Sequence, residues 1–169
     1  MLKKDVSEFD KNVFNELSKT WGIITAGNKE TGCNSMTVSW GGFGVLWGMN
    51  VCFLFVRKTR YTKEFLDKTN QVTISFLPNK YIKEKTLFGR QSGRNVNKYL
   101  ETNLHPVYEV DYDGYYLAEA DYVFKMKKIH SIDIPKESLP KDIQEEYYDC
   151  DTSHTMYICK ITHYLVNEE

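Results

Sequence analysis

The sequence is short of the residues that punctuate loops, with 4 Pro and 10 Gly among 169 residues. It has no repeats, no low-complexity tract and no Pro/Gly/Ser linker, so nothing divides it. At about 100–200 residues per domain it reads as a single domain, residues 1–169. Charge of one sign is also lacking. Lys and Arg total 22 against 23 Asp and Glu, a net charge of -1. That balance excludes a whole-protein basic field for nucleic acid or an anionic membrane, though not a local basic site. No apolar run approaches the roughly 20 residues of a membrane span; Val51 to Val56 has the length of a strand. The cysteines, Cys33, Cys52, Cys150 and Cys159, form no C-x-x-C pair. Met1 to Asp10 is charged and carries no apolar signal core. Reduced thiols and a cytoplasmic location are therefore expected.

Aromatic residues are abundant instead, at 14%, with 12 Tyr, 9 Phe and 3 Trp. Flat side chains suit strands. Trp21 to Ala26, Asn34 to Trp40, Val51 to Val56, Val72 to Leu77, one or two strands within Tyr115 to Ile132, and Thr155 to Val166 have strand character. Phe9, Val13, Phe14 and Leu17 recur at helical spacing, with Ser7 as N-cap. Short helices are expected at Tyr61 to Asp67, Tyr81 to Phe88 and Asn95 to Leu100, and a helical turn at Ile143 to Tyr148. Strands without regular βαβ alternation predict a mainly β fold, an antiparallel barrel with peripheral helices.

Several chemical motifs are missing. Gly42 and Gly44 begin a dinucleotide fingerprint, but Trp47 stands where its third glycine belongs and a strand follows. There is no phosphate-binding P-loop, no G-x-S-x-G elbow and no isolated carboxylate couple. Any catalysis would then rest on a cofactor. Cys150, His154, Cys159 and His163 have a zinc-like spacing. On a strand, however, Cys159 and His163 would lie ~13 Å apart, too far for one ion. Strand packing is the better account.

Two basic segments remain. In VRKTRYT, Arg57, Arg60, Tyr61 and Thr62 gather where a strand meets a helix start. Free N–H groups, guanidinium groups and a hydroxyl there make a phosphate cradle. In SGRNVNK, Ser92, Gly93 and Lys98 could bind an anion or a polar ring edge. An exposed basic loop and an ordinary helix start are the simpler accounts of each segment alone.

Taken in order, NSMTVSWGGFGVLWG, FVRKTRYTKEFL and SGRNVNK resemble the flavin reductase-like family of FMN-binding split barrels, near its flavoredoxin branch. The resemblance runs from about Trp21 to Lys98, with a weaker match at the last strand. It implies a Greek-key six-stranded antiparallel barrel, a homodimer and one non-covalent FMN per subunit. Carried onto this chain, Asn34, Ser35, Met36, Thr37, Val38, Ser39 and Trp40 would lie along the isoalloxazine, with small Ser35, Thr37 and Ser39 admitting the backbone to the ring edge. Arg57, Arg60, Tyr61 and Thr62 would hold the phosphate, and Ser92, Gly93 and Lys98 would close the pyrimidine end. His154 matches a family histidine near flavin or nicotinamide, whereas Cys159 stands where Gly is common. Cys33 is a small turn residue before the flavin strand. Phe43, Leu46 and Trp47 mark an interface or a flavin-covering segment. The implied function is an FMN-dependent oxidoreductase that takes hydride from NADH or NADPH and passes electrons to a small-molecule or protein acceptor. The alternatives are a non-enzymatic FMN electron carrier and a flavin-free barrel that binds a small ligand.

Overall fold

The alternating stretches of the sequence form strands. The computed structural model describes residues 1–149 and 153–168. Its strands are β1 (Leu2–Lys4), β2 (Gly22–Asn28), β3 (Gly32–Val38), β4 (Gly41–Leu46), β5 (Met49–Arg57), β6 (Gln71–Phe76), β7 (Pro106–Glu109), β8 (Gly114–Leu117), β9 (Tyr122–Ile134) and β10 (His154–Val166). The helices are short: α1 (Val13–Asn15), continued by a π-helical turn at Glu16–Thr20, then α2 (Tyr61–Lys68), α3 (Ile82–Arg90) and α4 (Lys141–Tyr147).

One antiparallel sheet runs in the order β3-β2-β6-β9-β10-β5-β4, with β1 added on β10, while β7 and β8 form a separate hairpin. The six strands from β3 to β5 are the body of this sheet, and β4 extends it. Its inner face buries Ile24, Met36, Leu54, Ile74, Phe124 and Tyr157 in one cluster. β2 is buried on both faces from Gly22 to Gly27. Ile24 and Ala26 point inward, while Ile23 packs outward against Leu77, Phe88, Leu104 and Leu117. Phe88 thereby anchors α3 over β2; burying such a ring contributes roughly 1.5–3 kcal/mol. This anchoring sets one wall of the site described below.

Local chemistry moves some expected boundaries. The first helical turn is not capped by Ser7. Asp5 and Glu8 form a capping box around a short 3-10 turn at Val6–Glu8, and Asn12 caps the later helix. These two caps split the Phe9-to-Leu17 run. Phe9 is freed to plug one end of the sheet, its ring 5.1–5.9 Å from those of Phe43, Tyr122, Phe124 and Tyr164. Asn95 to Leu100 forms turns rather than a helix. The Asn97 side-chain oxygen accepts from the N–H groups of Tyr99 and Leu100, a local bond that competes with helix formation. The glycine-rich Gly41–Leu46 is a strand paired with β5 rather than a loop. It turns at Trp47 and Gly48, whose φ values of 52° and 71° suit a tight hairpin. In β10 the register shifts between Ile161 and His163. Cys159 is therefore buried in the core while His163 is only half-buried. Cys150, the first residue of the zinc-like pattern, lies outside the described residues.

Candidate functional site

β5 ends at Arg57, whose register partner on β10 is His154. The chain then turns through residues 58–60 into α2, so Arg57, Arg60, Tyr61 and Thr62 emerge together. The end of α3 and the loop at residues 91–98 close over them. Between these elements and β3 lies a cavity of ≈ 450 Å³. Its charged lining residues are Arg57, Arg60, Arg90 and Lys98, with no Asp or Glu in its walls among the described residues. Asn34, Met36, Ser92 and Gly93 complete it from β3 and the loop.

The framework holding these groups is built of hydrogen bonds. Arg60 is the N-cap residue of α2, with extended φ and ψ of -73° and 131°. Its guanidinium donates to the Gly89 carbonyl at 2.9 Å, tying α2 to the end of α3. The buried Thr62 hydroxyl accepts from the Asn34 amide at 2.7 Å, tying α2 to β3. Lys98 reaches inward and donates to the carbonyls of Ser35 at 2.5 Å and Phe88 at 3.3 Å. Arg94 lies 4.9 Å from the Tyr61 ring centre, ion-pairs with Glu64 and donates to the Thr59 carbonyl. Gly93 is required sterically. A Cβ there would stand 2.2 Å from Asn34 Oδ1 and 3.0 Å from the Tyr61 ring.

Crowding of like charge shifts these groups. Burial first, and Arg60 second, lower the Lys98 pKa to about 8. Burial and the neighbouring Arg57 also lower that of Arg60. A cavity whose cations repel one another favours an anion that relieves the repulsion. The first turn of α2 adds its N–H groups and positive dipole end.

A second chamber of ≈ 260 Å³ continues past Arg57 and Arg60, along Met36, Thr37, Val38, Ser39 and Trp40 to Phe55 and His154. The His154 ring is buried and its Nδ1 lies 2.7 Å from the Tyr148 hydroxyl. Burial, then Arg57 and Arg60, bring its pKa down to about 4, so it is neutral at neutral pH. Trp40 packs against His154 and Tyr147, with ring centres 5.2 Å and 5.4 Å away. Arg57 donates to the Tyr147 carbonyl at 2.9 Å and faces the Tyr148 ring.

The sequence-predicted residues thus converge on one groove, with one divergence. Ser35 lines neither chamber. It is fully buried, bonded through its hydroxyl to Thr25 and Tyr99 at 2.7 Å each. Thr37, on the same strand parity, donates to the Lys85 carbonyl at 2.5 Å and lies against Gly89. This face of β3 is covered because Phe88 fixes α3 there. Sequence reasoning misses Thr59, Phe88, Arg90 and Gln91; the last two lie in the GRQSGR stretch, whose basic character was the available signal.

The chain matches the family described as Flavin reductase like domain over residues 14–169. No curated protein matches it. Among solved structures it is similar to the flavoredoxin of Desulfovibrio vulgaris (Miyazaki F), with 21% identity, covering 99% of this chain and 78% of that one at a TM-score of 0.69. It is similar to the FMN-binding domain of a flavin reductases-like enzyme from Shewanella baltica, with 13% identity, covering 96% and 75% at a TM-score of 0.67. An NADH:FAD oxidoreductase of Streptomyces globisporus C-1027 is 14% identical, covering 88% and 75% at a TM-score of 0.63. At these identities the likeness shows the fold, a mainly antiparallel split barrel. Because the match runs from residue 14 to the end of the chain, the protein belongs to the flavin reductase like domain family.

Proposed function

We propose that the protein is an FMN-dependent oxidoreductase that takes hydride from NADH or NADPH and passes electrons to a second acceptor. The observation that carries this reading is the cavity lined by Arg57, Arg60, Arg90 and Lys98 at the start of α2, opening onto a chamber along β3. The relatives named for flavin chemistry support it. A phosphate of about two negative charges suits the first chamber, and a flat ring suits the strip beside Met36 to Trp40. Bound FMN supplies the hydride and single-electron chemistry that the side chains themselves lack.

In this reading Arg57, Arg60 and the first turn of α2 hold the phosphate. Lys98 places positive charge near the ring's polar edge, and Gly93 lets the loop approach. Met36 to Trp40 support the ring while α3 excludes water from behind β3. His154, neutral and bonded to Tyr148, stands at the open end where a second substrate would enter. The side chains bind and orient; none need act as an acid or base. A homodimer formed in part by the β4–β5 hairpin, where Val45 and Trp47 are exposed, belongs to the same proposal.

Titration of the purified protein with FMN tests the reading. Saturable binding and a perturbed visible flavin spectrum are expected; no binding would overturn it. Mixing the loaded protein with NADH and with NADPH then tests turnover. Bleaching faster than free FMN supports the oxidoreductase, and bleaching at the free-FMN rate would leave a carrier reduced by a protein partner. Light scattering that returns a monomer would remove the dimer.

A further inference from the structure

The groove continues beyond His154. Ser39, Trp40, Phe55 and His154 also border a third cavity of ≈ 880 Å³. Its other walls come from distant stretches: the α1 segment, β4, the end of β9 and the α4 region. Among the described residues, no Asp, Glu, Lys or Arg lines it. Trp40, Phe43 and Phe55 supply flat surfaces, and Leu139 and Ile143 supply aliphatic ones. Its polar lining is Ser18, Ser39 and the hydrogen-bonded pair Tyr148 and His154. The volume lies within the ~300–1,000 Å³ of small-molecule sites, which pair apolar walls with a few placed polar groups.

We propose that this cavity binds a small, uncharged, flat ketone, with its rings against Trp40, Phe43 and Phe55 and its carbonyl oxygen accepting from the Tyr148–His154 pair. With no charged side chain among the described residues of its walls, an anion or cation buried here would lack a counter-charge, which disfavours both. A neutral imidazole that accepts from the Tyr148 hydroxyl at Nδ1 keeps an N–H at Nε2 to donate. The 135–149 region, distant in sequence from β3 and α2, furnishes Leu139, Ile143 and Tyr148. The flavin reading is needed only to call this ligand the second substrate; the binding site stands without it.

Calorimetric titration of the full chain, with and without FMN, tests the proposal with 2-acetylnaphthalene, 2-naphthoate and 2-ethylnaphthalene. The ketone should bind saturably, and the anion of the same skeleton roughly tenfold more weakly or worse. Tyr148→Phe should weaken the ketone about three- to tenfold and leave 2-ethylnaphthalene unchanged. Ile143→Trp should crowd the α4 wall of the cavity and weaken ketone binding roughly tenfold, with FMN titration intact. No ketone binding, equal binding of the anion, or full binding by Ile143→Trp would each overturn the site. So would a dimer that Phe14→Glu splits, with ketone bound only after splitting, since a second copy would then cover the cavity. Ketone binding without FMN binding would uphold the cavity and overturn the flavin reading.

Discussion

The cation-lined chamber and the apolar cavity adjoin one another yet are built on opposite terms. In the first, recognition comes from charge held in place by backbone carbonyls. Arg60 rests on Gly89 and Lys98 rests on Ser35 and Phe88. In the second, walls of Trp40, Phe43, Phe55, Leu139 and Ile143 surround the Tyr148–His154 pair. Arg57 joins the two, lining the first while donating to the Tyr147 carbonyl and facing the Tyr148 ring beside the second. One groove can thus hold an anionic group and a neutral one at fixed separation, because the residues joining them lie on paired strands. Arg57 and His154 are register partners on β5 and β10.

The largest separation of the two regions should come from Arg60→Ala. Loss of a charge-assisted contact contributes about 1.5–3 kcal/mol, so FMN affinity should fall roughly 10- to 100-fold. Binding of 2-acetylnaphthalene should be unchanged. If Arg60→Ala left FMN affinity intact, the phosphate assignment would be wrong. Arg57→Ala should weaken both ligands, and calorimetry with each ligand would measure how far the halves are coupled. Next in size is Gly93→Ala. The added Cβ would meet Asn34 Oδ1 at 2.2 Å, so either the Asn34 amide must leave Thr62 or the loop must move away from β3. FMN affinity should fall roughly tenfold, a cost of about 1.4 kcal/mol, with ketone affinity unchanged. Equal loss of both would mean that the groove deforms as a unit.

The cation-lined chamber was far more legible in the sequence than the apolar cavity. Arg57, Arg60, Tyr61 and Thr62 sit within six consecutive residues at a strand-to-helix junction, and that local pattern survives folding intact. Ser92, Gly93 and Lys98 form another short run. The apolar cavity is assembled from residues as far apart as Val13 and His154. No single stretch of sequence carries it, and the aliphatic Leu139 and Ile143 read there as ordinary loop and helix residues. The strand parity of β3 was legible, yet not which face would be covered. Ser35 is turned into the fold because Phe88 carries α3 across that side, a tertiary choice that alternation alone does not encode.

The acidity of Lys98 gives a smaller, pH-dependent distinction. Its folded pKa is lowered to about 8 from 10.5. Below that value its ammonium adds to the attraction for a phosphate; as pH rises through it, the charge is lost. FMN affinity should weaken above about pH 8, and Lys98→Met should flatten this profile. Ketone binding should show no step there. A profile identical in Lys98→Met and the parent would assign the step to another group.

A last effect is on stability rather than binding, and it belongs to the seam between the regions. His154 has a folded pKa of about 4 against 6.5 for an ordinary imidazole. Between these values the unfolded chain binds a proton that the folded chain does not. Linkage then makes stability rise with pH across that window, so it is lost as pH falls from 6.5 toward 4. The cause is burial first, followed by Arg57 and Arg60, which disfavour a third positive charge beside them. His154→Gln keeps a hydrogen-bonding side chain for Tyr148 but cannot titrate. Denaturant unfolding of this variant should therefore show a shallower loss of stability across the window than the parent. Binding FMN should make the parent's loss of stability across the window shallower. An anion in the first chamber screens the two guanidinium groups, which raises the His154 pKa and narrows the window from below. If FMN left the pH dependence unchanged, the charges of the first chamber would not reach the imidazole at its edge, and the two regions would be electrostatically independent.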